Sequence, residues 1–414
     1  MNEAKQKFRL TSLERAWILY DVGNSAFVLL VATLIPIFFN ALAEGGGLSS
    51  VEYLAYWGYA ASAVTVITAV LSPILGTLAD TRNFKKPIFT FCVAVGVIGC
   101  CAMGMASTWL PFLLIFIFAK VGFSGSLVFY DSMLSDVPVP DRMDEVSSKG
   151  YAWGYIGSCV PFVVCLALVL GAGSIGISQM TALNLALFIT AAWWLVTTLP
   201  LLRQYKQVHF VEVQEHAIRQ SFARIGHTLR HLKEDRQVFW FLLAFFCYID
   251  GVYTIIDMAT AYGTALGLDT TGLLLALLVT QIVAFPSALV FGRLSGQYPS
   301  GTLIPVCIAA YAGIALFAFF LKHQWQFWVL AVVVGMFQGG IQALSRSHFA
   351  KIIPPEKSGE YFGLFDICGK GASFLGTMIV SVGSQLTGSA NVGVGSLIVL
   401  FIVGFVLFRV SDQK

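Results

Sequence analysis

Trp17-Ile18-Leu19-Tyr20-Asp21-Val22-Gly23-Asn24-Ser25-Ala26-Phe27 sets an acid, an amide and a glycine inside a run that is otherwise apolar. A carboxylate several residues into a membrane span costs at least a few kcal/mol unless it faces a cavity or meets a partner. Two readings of Asp21 follow: a functional carboxylate in a polar cavity, or one near the interface that caps a neighbouring helix end. Gly23 and Ser25 fit the first. Small residues let a second helix approach closely and let peptide groups turn toward a ligand.

This run is one of many. The chain has 414 residues, 57% hydrophobic and 11% charged, with a mean hydropathy of +0.79, too apolar for a water-soluble fold. A helix needs about 20 apolar residues to cross the hydrocarbon core. Twelve such stretches fill the sequence, near residues 14–40, 53–79, 87–107, 110–135, 149–171, 180–201, 237–263, 272–295, 302–321, 325–349, 360–386 and 391–409. The reading is an all-α polytopic membrane protein with twelve transmembrane helices.

Positive charge is retained on the cytoplasmic side. Lys5, Lys7, Arg9 and Arg15 precede the first span, Arg82, Lys85 and Lys86 follow the second, the central loop is basic, and Lys351 and Lys357 follow the tenth. The alternate connections carry Glu44, Glu52, Asp269 and a single lysine, Lys322. Both termini are therefore expected in the cytoplasm, and no cleavable signal pattern precedes the first span. The net charge of +3 reflects topology and gives no reason to expect nucleic acid.

Cys92, Cys100, Cys101, Cys159, Cys165, Cys247, Cys307 and Cys368 all fall within spans without metal-ligand spacing and read as small apolar fillers. The histidines sit in loops or at span ends, with His209, His216, His227 and His231 in the central loop as a solvated cluster. No metal site and no cofactor is expected.

Residues 201–236 are polar, basic and too short of apolar runs to span, so they read as a cytoplasmic linker with a surface helix between residues 1–200 and 237–414. The two parts echo one another. Tyr20, Asp21 and Gly23 correspond to Tyr248, Asp250 and Gly251, and Gly125, Tyr130-Asp131-Ser132, Pro138 and Gly150 to Gly340, Ser345-Arg346-Ser347, Pro354 and Gly363. Six plus six spans in parallel repeats resemble the major facilitator fold, two pseudo-symmetric six-helix bundles with a site at the midplane between them.

The connection Gly76-Thr77-Leu78-Ala79-Asp80-Thr81-Arg82-Asn83-Phe84-Lys85-Lys86-Pro87 resembles the signature loop of that superfamily. Gly76 permits close packing, and Asp80 can face the positive end of a helix from the other half. Arg82, Lys85 and Lys86 are expected at the anionic leaflet. The expected partner of Asp80 is the start of the eleventh span, just after Pro354-Pro355-Glu356-Lys357-Ser358-Gly359. Gly76, Asp80, Arg82, Asp131 and Arg346 are the expected gating residues.

Three stretches narrow the resemblance. Tyr20 to Phe27 stands where the family usually has Tyr-Asp-Trp-Ala-Asn-Ser; Phe129-Tyr130-Asp131-Ser132-Met133-Leu134 precedes Val146 to Gly157; and Gly339 to Ser347 precedes Glu360-Tyr361-Phe362-Gly363-Leu364-Phe365-Asp366, Gly369 and Lys370. Together they are similar to the Atg-type vacuole effluxers and their bacterial relatives, the unknown major facilitator family. The resemblance implies an integral membrane transporter, here of a bacterial cytoplasmic membrane, and its fungal members resemble amino acid exporters. Val22 and Gly23 depart from the family pattern and are expected to widen the cavity beside Asp21.

Within spans the charged residues include Lys120, Asp131, Asp250, Asp257, Arg346, Asp366 and Lys370. At ~1.5 Å per residue, Lys120, Asp250 and Lys370 approach the middle of a ~30 Å core. A midplane set of both signs suits a zwitterionic or anionic solute, or simply neutralises itself by pairing Asp250 with a lysine. The candidate binding residues are Asp21, Asn24, Lys120, Tyr130, Trp153, Asp250, Tyr253 and Lys370. No phosphate-cradling loop is present, which leaves gradient-driven or facilitated transport; protons or Na+ are the candidate coupling ions, and a monomer is expected. A carboxylate in a partly dry cavity has its charged form disfavoured, so Asp21 and Asp250 are the proton-coupling candidates. No nucleophile with a base is visible, so an enzyme is not expected. Two alternatives stay open on the same fold: a lipid or lysolipid flippase, and a receptor or scaffold using the linker.

Overall fold

Apolar runs in lipid have no water to satisfy their peptide groups and close their hydrogen bonds within the segment, as helices. The computed structural model follows this rule over residues 9–212, 230, 232, 234–372 and 374–412, the residues it describes, apart from the side chains of 50, 51, 53, 54, 260, 261, 264, 265, 270, 271, 274, 370–372 and 374. Its helices are α1 (Ser12–Ala32), α2 (Leu34–Gly45), α3 (Ser50–Ala79), α4 (Lys85–Met103), α5 (Trp109–Ser132), α6 (Met143–Leu170) and α7 (Gln179–Gln204). After the linker come α8 (Arg236–Ala265), α9 (Thr270–Leu294), α10 (Ser300–Phe319), α11 (Gln324–Ile352), α12 (Ser358–Ala372), α13 (Phe374–Thr387), α14 (Ala390–Gly395) and α15 (Ile398–Asp412). Thr11 with Glu14 and Ser49 with Glu52 form capping boxes that start α1 and α3.

Among the described residues, eleven helical stretches are long and apolar enough to cross a membrane. The span expected over 360–386 is occupied by α12 and α13, on either side of position 373. The span expected over 14–40 is interrupted at Thr33. Pro36 has no N–H to give the carbonyl of Ala32 and its ring crowds that carbonyl, so α1 ends and α2 restarts.

In the first half α1 packs on α6 and α7, and α4 on α5; in the second α9 packs on α11, and α8 on α15. Across the halves α3 meets α12, and α6 meets α9 and α11. The α3–α12 crossing is backbone on backbone. A Cβ at Gly76 would sit 2.2 Å from the Gly359 oxygen, and one at Gly359 would sit 2.4 Å from the Gly76 oxygen, so only hydrogen fits at either position. Arg142 donates to the Arg9 carbonyl, and Gly301 lies against Asp412. Residues 9 and 412 thus share one end of the bundle with the connections 80–84, 133–142, 295–299 and 353–357, called the basal end below.

Candidate functional site

A buried polar cluster is built around Arg346 of α11, whose side chain is 2% exposed. Its Nε donates to Ser147 Oγ at 3.0 Å, one terminal nitrogen donates to Asp131 Oδ1 at 3.0 Å, and the other donates to the Ser147 carbonyl at 3.0 Å. Asp21 Oδ2 lies 3.7 Å from the guanidinium. The rings of Tyr151, Trp17 and Tyr130 surround it, with centroids at 4.3, 4.7 and 5.4 Å. A buried cation is tolerable only when paired and hydrogen-bonded, and the planar fork of arginine meets two carboxylates and a serine at once. Arg346 and Asp131, marked as repeat-related positions in the sequence, pair with each other across the halves. Asn24 donates to Asp21 Oδ1 at 3.5 Å, and Tyr155 donates to Gln342 at 2.8 Å just beyond.

Toward the basal end, Asp80 meets the expected partner. Its two carboxylate oxygens accept the N–H groups of Gly359 and Glu360 at 2.7 and 2.8 Å. These are orphan donors at the positive end of α12, so a residue of the first half caps a helix of the second. Asn83 turns the loop through a left-handed φ of 64°, which asparagine tolerates. Lys85 corrects the sequence reading. It is fully buried, donates to Ser358 Oγ at 2.8 Å, and lies 3.9 Å from Asp80 and 3.8 Å from Asp136. Arg82 stays outside, 3.4 Å from Glu212.

The start of the linker is docked on this loop as an extended segment. Val211 N–H donates to the Asp80 carbonyl at 2.8 Å and Arg82 N–H to the Val211 carbonyl at 3.2 Å. Gln207 donates to the Ala79 carbonyl at 3.0 Å. Tyr205 and His209 both bind Asp136. Burial, with Asp136 beside it, pushes the Tyr205 hydroxyl well above its ordinary value, so it remains a donor. The odd residues from 205 to 211 face one way, the period of an extended chain. No apolar alternation marks this face in the sequence, since Gln207 and His209 point inward while Val208 and Phe210 fall on the other side; the surface helix and His216, His227 and His231 fall outside the described residues.

The remaining candidates are spread out. Lys120 stands over the rings of Phe123 and Phe27 at 4.8 and 6.0 Å, inside the first half. Trp153 is 47% exposed and meets Phe285 of the other half edge-on. Tyr253 lies within electrostatic reach of Asp131, Asp257, Asp366 and Arg346, and Asp366 accepts from Ser72 of α3 at 2.8 Å. Asp250 is fully buried away from Arg346. Its Oδ1 accepts from Gly376 N–H at 2.9 Å and from Thr254 at 3.3 Å, capping the first turn of α13, and its Oδ2 makes no hydrogen bond. The side chain of Lys370, and with it any pairing to Asp250, lies outside the described residues. Gly23 does not widen a cavity: a Cβ there would lie 1.8 Å from Thr197 Oγ1, and Val22 fills the space over Gly157. His348, expected at a span end, is buried inside α11 and bonded to Ser300 at 2.9 Å. Two small apolar recesses lie off the cluster, one among α3, α4 and α5 and one in the second half.

The sequence matches the model of a family described as vacuole effluxer Atg22 like over residues 46–138 and 135–414. It is 42% identical to an MFS-type transporter, YxiO, of Bacillus subtilis, over 98% of this chain and 96% of that one. It is 25% identical to autophagy-related protein 22 of Saccharomyces cerevisiae, over 66% of this chain and 59% of the yeast protein. Among solved structures it resembles the human organic anion transporter MFSD10, with TM-score 0.72, 14% identity and coverage of 96% and 98%. It also resembles FucP, a major facilitator superfamily transporter in the outward conformation, with TM-score 0.69, 16% identity and coverage of 97% and 98%.

Proposed function

The chain belongs to the vacuole effluxer Atg22-like family of major facilitator transporters, and from that premise we propose that it exports a small polar or zwitterionic solute, an amino acid or related metabolite, by alternating access. Residues 12–204 rock against residues 236–412 in a bacterial cytoplasmic membrane, with the basal end in the cytoplasm. One observation carries this reading. The buried polar contacts between the halves, Arg346 to Asp131 and Ser147 and Asp80 to α12, join side chains of one bundle to groups of the other. Contacts of that kind close a gate and can be exchanged for water when the halves part.

Asp21 and Asp250 are the proton-coupling carboxylates of this proposal, each buried on the first helix of its half. The test is efflux from proteoliposomes loaded with a panel of amino acids, organic acids and lysolipids, with and without a pH gradient. Export of a zwitterion that responds to the gradient, and loses that response in Asp250→Asn, is the expected result. Transport indifferent to pH or uncoupler would overturn the coupling. The apolar recess among α3, α4 and α5 favours one alternative, movement of a lipid or lysolipid; movement of lysolipids alone would select it.

A further inference from the structure

The groups holding the Arg346 guanidinium by hydrogen bond, ion pair and ring face in the contacts above all belong to the first half. Trp17 and Asp21 come from α1, Tyr130 and Asp131 from α5, and Ser147 and Tyr151 from α6. The walls do not depend on the guest. Trp17 Nε1 donates to the Tyr130 carbonyl at 3.0 Å, the two rings stack at 4.3 Å, and Tyr20 leans on Tyr130 at 4.7 Å while donating to Ser126 at 2.6 Å. When the halves part at the basal end, Arg346 leaves with α11. What remains is an aromatic cage with two carboxylates.

Two buried polar groups line that cage beside the guanidinium. Asp21 Oδ2 lies 3.7 Å from Arg346 and neighbours the Tyr130 hydroxyl, with Asp21 6% and Tyr130 0% exposed. Gly150 leaves room beside them: a Cβ there would lie 3.0 Å from Asp21 Oδ2 and 3.1 Å from the guanidinium. Aromatic faces and carboxylates together select a cation that is planar or weakly hydrated.

We propose that the vacated cage binds the cationic group of the transported solute, a guanidinium, and that Arg346 is its tethered competitor. This rests on the transporter reading above and names the substrate class within it. Solute cation and Arg346 exclude one another, so the basal gate cannot close over a filled cage, and a purely anionic solute has no place in it.

The experiment is chemical rescue. In purified Arg346→Ala, thermal unfolding is followed while methylguanidinium or its neutral isostere methylurea is titrated in the millimolar range. Methylguanidinium should raise the Tm saturably and methylurea should not. Adding Trp17→Leu should weaken the apparent affinity about tenfold, in line with a desolvated cation–π contact. Equal responses to the two probes, or no response to methylguanidinium, would overturn the cage. Should Arg346→Ala not be recoverable, the wild-type chain gives the test. Agmatine should then increase the population open at the basal end, read by spin labels across the halves, and an unchanged distribution would overturn the cage. Transport of a zwitterion without rescue would defeat the cage and leave the transporter standing. Rescue in a chain that moves no solute would defeat the transporter reading, and with it the use assigned to the cage.

Discussion

Replacing Asp80 by asparagine should open the basal end. The carboxylate is fully buried and accepts two backbone N–H groups of α12 at 2.7 and 2.8 Å. Hydrogen bonds to a charged group contribute about 1.5–3 kcal/mol each. Asparagine keeps one acceptor but turns an amide N–H toward the second donor, so about 2–3 kcal/mol is lost. The loss falls on the closed state alone, since the open state hydrates either side chain. At about 1.4 kcal/mol per tenfold, the closed-to-open ratio should fall by about 30- to 150-fold. Spin labels at Phe84 and Glu356, both exposed, would report it in a cysteine-free background as a longer inter-half distance. A distribution in Asp80→Asn identical to that of the parent would refute the latch.

Other outcomes follow from the same contacts. Asp131→Ala, Arg346→Ala and the double variant should show a coupling of about 1–3 kcal/mol in thermal unfolding, because losing Arg346 leaves Asp131 and Asp21 without their shared cation and losing Asp131 leaves Arg346 with Asp21 alone; additive effects would mean the pair is idle. Gly359→Ala should mimic Asp80→Asn, since its Cβ would lie 2.7 Å from Asp80 Oδ1. Gly313→Ala, where a Cβ would meet nothing within 4 Å, should leave the gate alone and raise stability by up to about 1 kcal/mol. Tyr205→Phe removes one hydrogen bond to the Asp136 carboxylate, worth about 1.5–3 kcal/mol, and should speed proteolysis within the linker by about tenfold or more.

The helices were legible because lipid leaves apolar runs of about 20 residues no alternative. The partner of Asp80 was legible too, since an acid in a basal loop and a helix start in the other half are complementary by charge. Arg346 and Asp131 could be placed at matching positions by the internal repeat. Their pairing, and the approach of Asp21, could not, because spacing along one helix says nothing about which helix lies opposite. Trp17 was missed for a related reason: an aromatic in an apolar run looks like packing until a cation is set against its face. Asp250 shared its depth with Lys120 and Lys370, but depth is one coordinate, and the acid is used at the start of α13. Lys85 was assigned to the leaflet by its charge, whereas Asp80, Asp136 and Ser358 together make a fully buried site for it.

The most direct measurement is solute exchange across proteoliposomes with the basal end tethered. Cysteines replacing Phe84 and Glu356, exposed on the loops that Lys85 and Ser358 hold together across the halves, can be joined by a short bis-methanethiosulfonate cross-linker, which reductant cleaves, in a cysteine-free background. Alternating access predicts that exchange stops when the tether forms and returns when it is cleaved. Exchange that continues with the tether intact would contradict the rocking of the two halves.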